Sequence, residues 1–116
     1  MMLLQVVMPT GPGPVRLVGE LDISSAPALE EALHERITTG GDIVLDLSEL
    51  SFIDSTGLRA LLWLGRQLTG RGQLILRSPS PVVARVIELT GVDSAPTLTV
   101  DAGDRLEENG PSPTVR

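Results

Sequence analysis

The sequence predicts an α/β domain: a mixed sheet of four or five strands with its helices packed mainly on one face. Three observations carry this. After residue 22, short apolar runs alternate with amphipathic stretches, an order that needs parallel pairing and right-handed crossovers. Ile43-Val44-Leu45-Asp46-Leu47 is nearly continuously apolar, the pattern of a central strand covered on both faces. Before residue 22, two apolar runs flank Thr10-Gly11-Pro12-Gly13-Pro14, which predicts a hairpin and an antiparallel edge.

Residues 3–8 read as the first strand and Val15–Gly19 as the second, closed by Glu20-Leu21-Asp22. Ser24 or Ser25 can cap a first helix, with Pro27 in its first turn and Glu30 and Glu31 near its positive end. Leu29, Ala32, Leu33 and Ile37 then share a face, and Gly40-Gly41 ends the helix. Leu50, Phe52 and Ile53 carry the chain from the central strand to a second main helix, in which Leu58, Leu61, Leu62 and Leu68 form the buried stripe. Gln73–Arg77 is the next strand. Ser80 is the expected cap of a third helix, with Pro81 at its first position and Val82, Val83, Val86, Ile87 and Leu89 as its apolar side. Gly91 sits where a left-handed C-terminal residue is wanted. Residues 97–100 read as a last strand and Asp101 as the cap of a short helix through Glu108. Residues 109–116 read as an unfolded tail, so one domain spans 1–108.

Composition removes several function classes. The chain has 116 residues, enough for one domain with a core of ordinary size. Phe52 and Trp63 are its only aromatics, so that core is aliphatic. With no cysteine and a single histidine, His34, neither thiolate nor multi-histidine metal sites are expected. A net charge of −6 argues against a nucleic-acid or anionic-membrane partner. The early apolar run is too short to span a bilayer and lacks a basic leader, so a cytoplasmic location is expected.

Chemistry concentrates in Phe52-Ile53-Asp54-Ser55-Thr56-Gly57-Leu58. An apolar strand ends in an acid, two hydroxyls and a glycine, and a helix follows at once. Ser55 or Thr56 then lies at a helix N-terminus, where open N–H groups and the dipole favour an anion. On the tetrapeptide alone the favoured reading is a plain helix start, with Ser or Asp as the cap. Arg59 lies four residues from Ser55 on the same face, facing either an anion or solvent. Asp22 reads as the residue that turns the chain out of the second strand. Trp63, between Arg59 and Arg66 on one helical face, is either an interface anchor or folded over a neighbour. Ser55 is not in a G-x-S-x-G elbow, His34 has no evident orienting acid, and the glycine turns lack the lysine of a P-loop, so the residues argue against hydrolase and P-loop chemistry. Asp22, Asp46 and Asp54 at strand ends make a weak magnesium pattern. Neither metal nor cofactor is expected.

Gly19-Glu20-Leu21-Asp22, Val44-Leu45-Asp46-Leu47-Ser48, the Asp54-Ser55-Thr56-Gly57 run and residues 81–91 stand in the order seen in STAS domains. Over about residues 3–108 the chain resembles the bacterial anti-sigma factor antagonists. The resemblance implies a non-enzymatic regulator that, when dephosphorylated, binds an anti-sigma serine kinase and so frees the sigma factor. Phosphorylation of the serine after the motif aspartate then releases the complex, and a phosphatase resets it. That serine is Ser55, with Thr56 the weaker candidate; Asp22, Asp54, Thr56, Gly57, Arg59 and Trp63 belong to the expected partner surface. Arg59 departs from the small residue often found there in phosphorylated members. The alternative is a phosphorylation-independent STAS interaction module in a stress or other signalling complex.

Overall fold

A computed structural model describes residues 3–96 and 98–101. The expected short helix after Asp101 and the expected tail at 109–116 lie outside the described residues. One sheet contains five strands in the order β1 (Gln5–Val7), β2 (Val15–Leu21), β3 (Ile43–Ile53), β4 (Leu74–Arg77) and β5 (Leu98–Asp101). β1 pairs antiparallel with β2, and every later pair is parallel. Helices α1 (Ala26–Ala32) and α2 (His34–Thr39) connect β2 to β3. Helix α3 (Ser55–Gln67) connects β3 to β4, and α4 (Pro81–Thr90) with a 3-10 turn (Val92–Ser94) connects β4 to β5.

This order explains where the helices go. Each parallel connection steps one strand in the same direction, and right-handed crossovers then place every helix on the same side. Registered rows show the result. Val15, Leu45 and Leu76 align across three strands, as do Ile43, Leu74 and Leu98, and all six are buried in one continuous core. The opposite face carries the aligned row Arg16, Asp46, Arg77 and Asp101. There Arg16 pairs with Glu49 at 3.0 Å and Arg77 with Asp101 at 3.8 Å. The expectation that β3 is covered on both faces therefore fails: Val44 and Asp46 are only half-buried, because no crossover lies on their side.

Several local expectations also change. The first helix breaks at Leu33, although its N–H still donates to Leu29 O at 3.1 Å. In α3, Leu64 joins the core in place of Leu62, which is half-buried at the edge of the helix. On α4 only Val83 and Ile87 are fully buried; Val82 and Leu89 face outward. Ser80 sits at the cap position of α4, but its hydroxyl donates to Leu50 O at 2.6 Å, fastening the helix start to β3 instead of capping it. Gly91 ends α4 in the left-handed conformation, φ 73°, as its position predicts.

Candidate functional site

The Asp54-Ser55-Thr56-Gly57 run sits where β3 hands over to α3, beside the C-terminal end of the parallel neighbour β2. Two contacts fix this junction. The Asp54 N–H donates to Leu21 O at 3.2 Å. A Cβ on Gly57 would lie 2.6 Å from the same Leu21 oxygen, so only glycine lets the helix start press against the end of β2. The exits of both strands are thereby brought side by side, and Asp22 follows directly after that anchored Leu21.

The cap of α3 is Asp54. Its Oδ1 accepts the Gly57 N–H at 2.8 Å, and its carbonyl takes the Leu58 N–H at 3.0 Å. Ser55 is therefore the first residue inside the helix and not its cap. Ser55 is exposed, and its hydroxyl makes no hydrogen bond among the described residues. The N–H groups of Ser55 and Thr56 precede the first intrahelical donor, the Leu58 N–H, so they remain open at the positive end of a helix of 13 residues. A hydroxyl here can take a phosphate without dismantling the cap.

Asp22 organises the neighbouring loop. Its Oδ1 accepts the Ser24 hydroxyl at 2.8 Å and the N–H groups of Ser24 and Ser25 at 3.0 and 3.1 Å. Ser25 stands at the cap position of α1 without capping it: its hydroxyl donates to Glu20 O at 2.9 Å and accepts the Asp22 N–H at 2.9 Å. The Ser24 hydroxyl is the main reason the Asp22 carboxyl lies below the usual carboxylate range; desolvation opposes it, and the backbone N–H groups of Ser24 and Ser25 and the Ser25 hydroxyl add to it. A lowered folded-state pKa means the contribution to stability is present above the unfolded value and fades as pH falls through the folded one. Carboxyl titration followed by NMR should find Asp22 protonating at lower pH than a free aspartate, and Ser24→Ala should raise its midpoint. An unchanged midpoint would remove the hydroxyl as the cause.

Along α3, Thr56, Arg59, Trp63 and Arg66 line one groove, whose other wall includes Ile23 and Glu30. Trp63 is 40% exposed and Ile23 71%. Both arginines are exposed, and among the described residues neither is ion-paired. The sequence assigns neither Ile23 nor Glu30 to a site: Glu30 is expected only near the positive end of the first helix, and Ile23 has no expected role. The available signal was an isolated isoleucine between a strand exit and two serines, where nothing apolar is needed.

The structure thus brings Asp22, Asp54, Ser55 and Gly57 to the exits of β2 and β3, with Thr56, Arg59 and Trp63 continuing along α3. Asp46 is elsewhere. It lies eight residues before Asp54 on β3, on the order of 25 Å at strand rise, and its Oδ1 accepts the Ser48 N–H at 2.9 Å. Among the described residues no His, Asp and Glu group could hold a metal ion. His34 is exposed at the start of α2.

Known proteins share this fold. The STAS domain family matches residues 5–103. The anti-sigma-B factor antagonist of Bacillus subtilis is 33% identical over 79 residues, covering 67% of this chain and 72% of the relative. A crystal structure of an anti-sigma factor antagonist from Mycobacterium paratuberculosis superposes with a TM-score of 0.65 and 30% identity, covering 85% of this chain and 86% of that one. The anti-sigma factor antagonist SpoIIAA in its unphosphorylated form superposes with a TM-score of 0.62 and 26% identity, covering 90% of this chain and 96% of that one.

Proposed function

The chain belongs to the STAS domain family, and from that premise we propose that it is an anti-sigma factor antagonist switched by phosphorylation of Ser55. With Ser55 unmodified, the surface formed by Asp22, Asp54, Ser55, Thr56, Gly57, Arg59 and Trp63 binds an anti-sigma factor that is also a serine kinase, and the sigma factor is released. Phosphorylation of Ser55 ends the complex, and a phosphatase restores it. The protein acts by binding and not by catalysis, in the cytoplasm.

The observation that carries this reading is the Ser55 hydroxyl: exposed, unbonded among the described residues, and one step inside a helix that Asp54 already caps. Such a hydroxyl is accessible to a kinase and contributes little to the fold. Its phosphate would add about −1.5 to −2 charges at pH 7, against the open N–H groups of the helix start and beside Asp54. The antagonist can hold that charge; a partner surface fitted to a neutral serine cannot. The plain interaction module remains the second reading, favoured by Asp54: the motif's acid has a complete structural role as a cap whether or not Ser55 is ever modified.

Incubation with ATP and the anti-sigma kinases of the source genome, followed by mass spectrometry, separates the two. Phosphate on Ser55 supports the switch. Phosphate on Thr56 alone moves the site by one residue, and none on either leaves the interaction module.

Trp63→Ala should weaken partner binding by about tenfold or more while shifting the melting temperature little, since the ring is 40% exposed. Calorimetric binding paired with thermal unfolding checks this. A large loss of stability with normal binding would assign Trp63 to the core.

A further inference from the structure

We propose that the groove between α1 and α3 is a docking seat for an acidic, amphipathic helical segment of the partner. This deepens the reading above and rests on its premise that this face meets a protein. The groove holds about 580 Å³. Its α3 wall runs from Thr56 to Arg66, about 15 Å at helical rise, or close to three turns of an occupant. Apolar surface is presented from both sides, by Ile23 and by the Trp63 ring.

Charge identifies the occupant. The chain carries a net −6 and would repel an acidic segment over most of its surface. In this groove the balance is locally reversed: Arg59 and Arg66 flank Trp63 against the single acid Glu30 on the opposite wall. Of the other described arginines, three are engaged internally, and Arg36 and Arg85 each stand singly in a groove that also holds acids, Glu35 and Asp42 for the one and Glu88 for the other. Arg16 and Arg77 are ion-paired, and Arg71 donates to the carbonyls of Thr38 and Gln67. Arg59 and Arg66 keep their full donor capacity, spaced seven residues apart, two helical turns on one face. Carboxylates on one side of an amphipathic helix would meet both guanidinium groups while its apolar side covers Trp63 and Ile23.

Trp63 is the sole tryptophan in a chain without tyrosine, so intrinsic fluorescence reports directly on the groove. The test uses the full chain and two synthetic amphipathic peptides of equal length, one with leucines and glutamates, the other with lysines in place of the glutamates. The acidic peptide should shift the Trp63 emission and bind about tenfold or more tighter than the basic one, with the difference shrinking as salt rises. Arg59→Glu combined with Arg66→Glu should reverse the preference; Arg66→Glu alone, with folding checked by circular dichroism, should reduce it. Equal affinities, no change of preference in the variants, or NMR shifts centred on Val82 and Leu89 of α4 would overturn the proposal. No kinase takes part, so failure here leaves the Ser55 experiment untouched. Success here with no effect of Ser55 substitution on partner binding would isolate a failure of the switch.

Discussion

Ser55→Asp is expected to weaken binding to the anti-sigma partner by a hundredfold or more, while Ser55→Ala binds constitutively. The first substitution puts a carboxylate on a contact surface that already carries Asp54 and lies beside the Asp22 turn. A charge buried in a complex without a fitted counter-charge costs several kcal/mol, and about 2.7 kcal/mol suffices for a hundredfold. The second keeps the surface neutral and removes the modifiable hydroxyl. Because Asp54 and not Ser55 caps α3, neither change removes the cap bond, and Ser55→Ala should alter stability by no more than about 0.5 kcal/mol. Asp54→Ala, by contrast, should cost about 1 kcal/mol through the lost cap. Binding and denaturation measured on the three variants separate the switch from the cap. Normal binding by Ser55→Asp would end the switch proposal.

Gly57→Ala is the second large effect. In an ordinary exposed helix position this change stabilises by up to about 1 kcal/mol, because alanine is the better helix former. Here the new methyl would lie 2.6 Å from Leu21 O and 2.9 Å from both Ile53 Cγ1 and Leu21 Cγ. A backbone oxygen cannot rotate aside, and this one also accepts the Asp54 N–H. Relief requires α3 to lift from β2, which strains two core residues and the helix start together. The expected loss is about 1–3 kcal/mol, or roughly 5–15 °C in melting temperature at about 4–5 °C per kcal/mol. Gly11→Ala, where the added methyl meets nothing within 4 Å, serves as the control. Equal behaviour of the two variants would show that the close approach at Gly57 is readily relaxed.

Much of this molecule is legible in its sequence, for physical reasons that differ by element. Strand–helix alternation and crossover handedness leave few ways to arrange the chain, so the mixed sheet with one-sided helices follows from pattern alone. Gly91 is legible because only a few residues tolerate its backbone conformation. Serine caps were less so. Ser25 and Ser80 stand at cap positions, yet their hydroxyls find the carbonyls of Glu20 and Leu50, partners set by tertiary packing and invisible to local pattern. The period of α3 separates buried from exposed residues, but which boundary residue is covered depends on the neighbouring helix. Leu62 and Leu64 exchanged roles for that reason. Ser55 was legible as a hydroxyl at a helix start; that Asp54 takes the cap and leaves Ser55 unbonded required the geometry. The groove was half legible. Arg59, Trp63 and Arg66 share a face by spacing, but Ile23 and Glu30 reach it only through the packing of α1.

Sheet order has a last consequence, for how the chain is made. Strands β1 to β5 lie side by side in the order in which they leave the ribosome. Every strand after β1 therefore meets a neighbour that has already been synthesised, and β1 waits only for β2, the next strand in the chain. Assembly can proceed from one edge toward the other as translation advances, which shortens the time any bare strand edge is open to mispairing with another nascent chain.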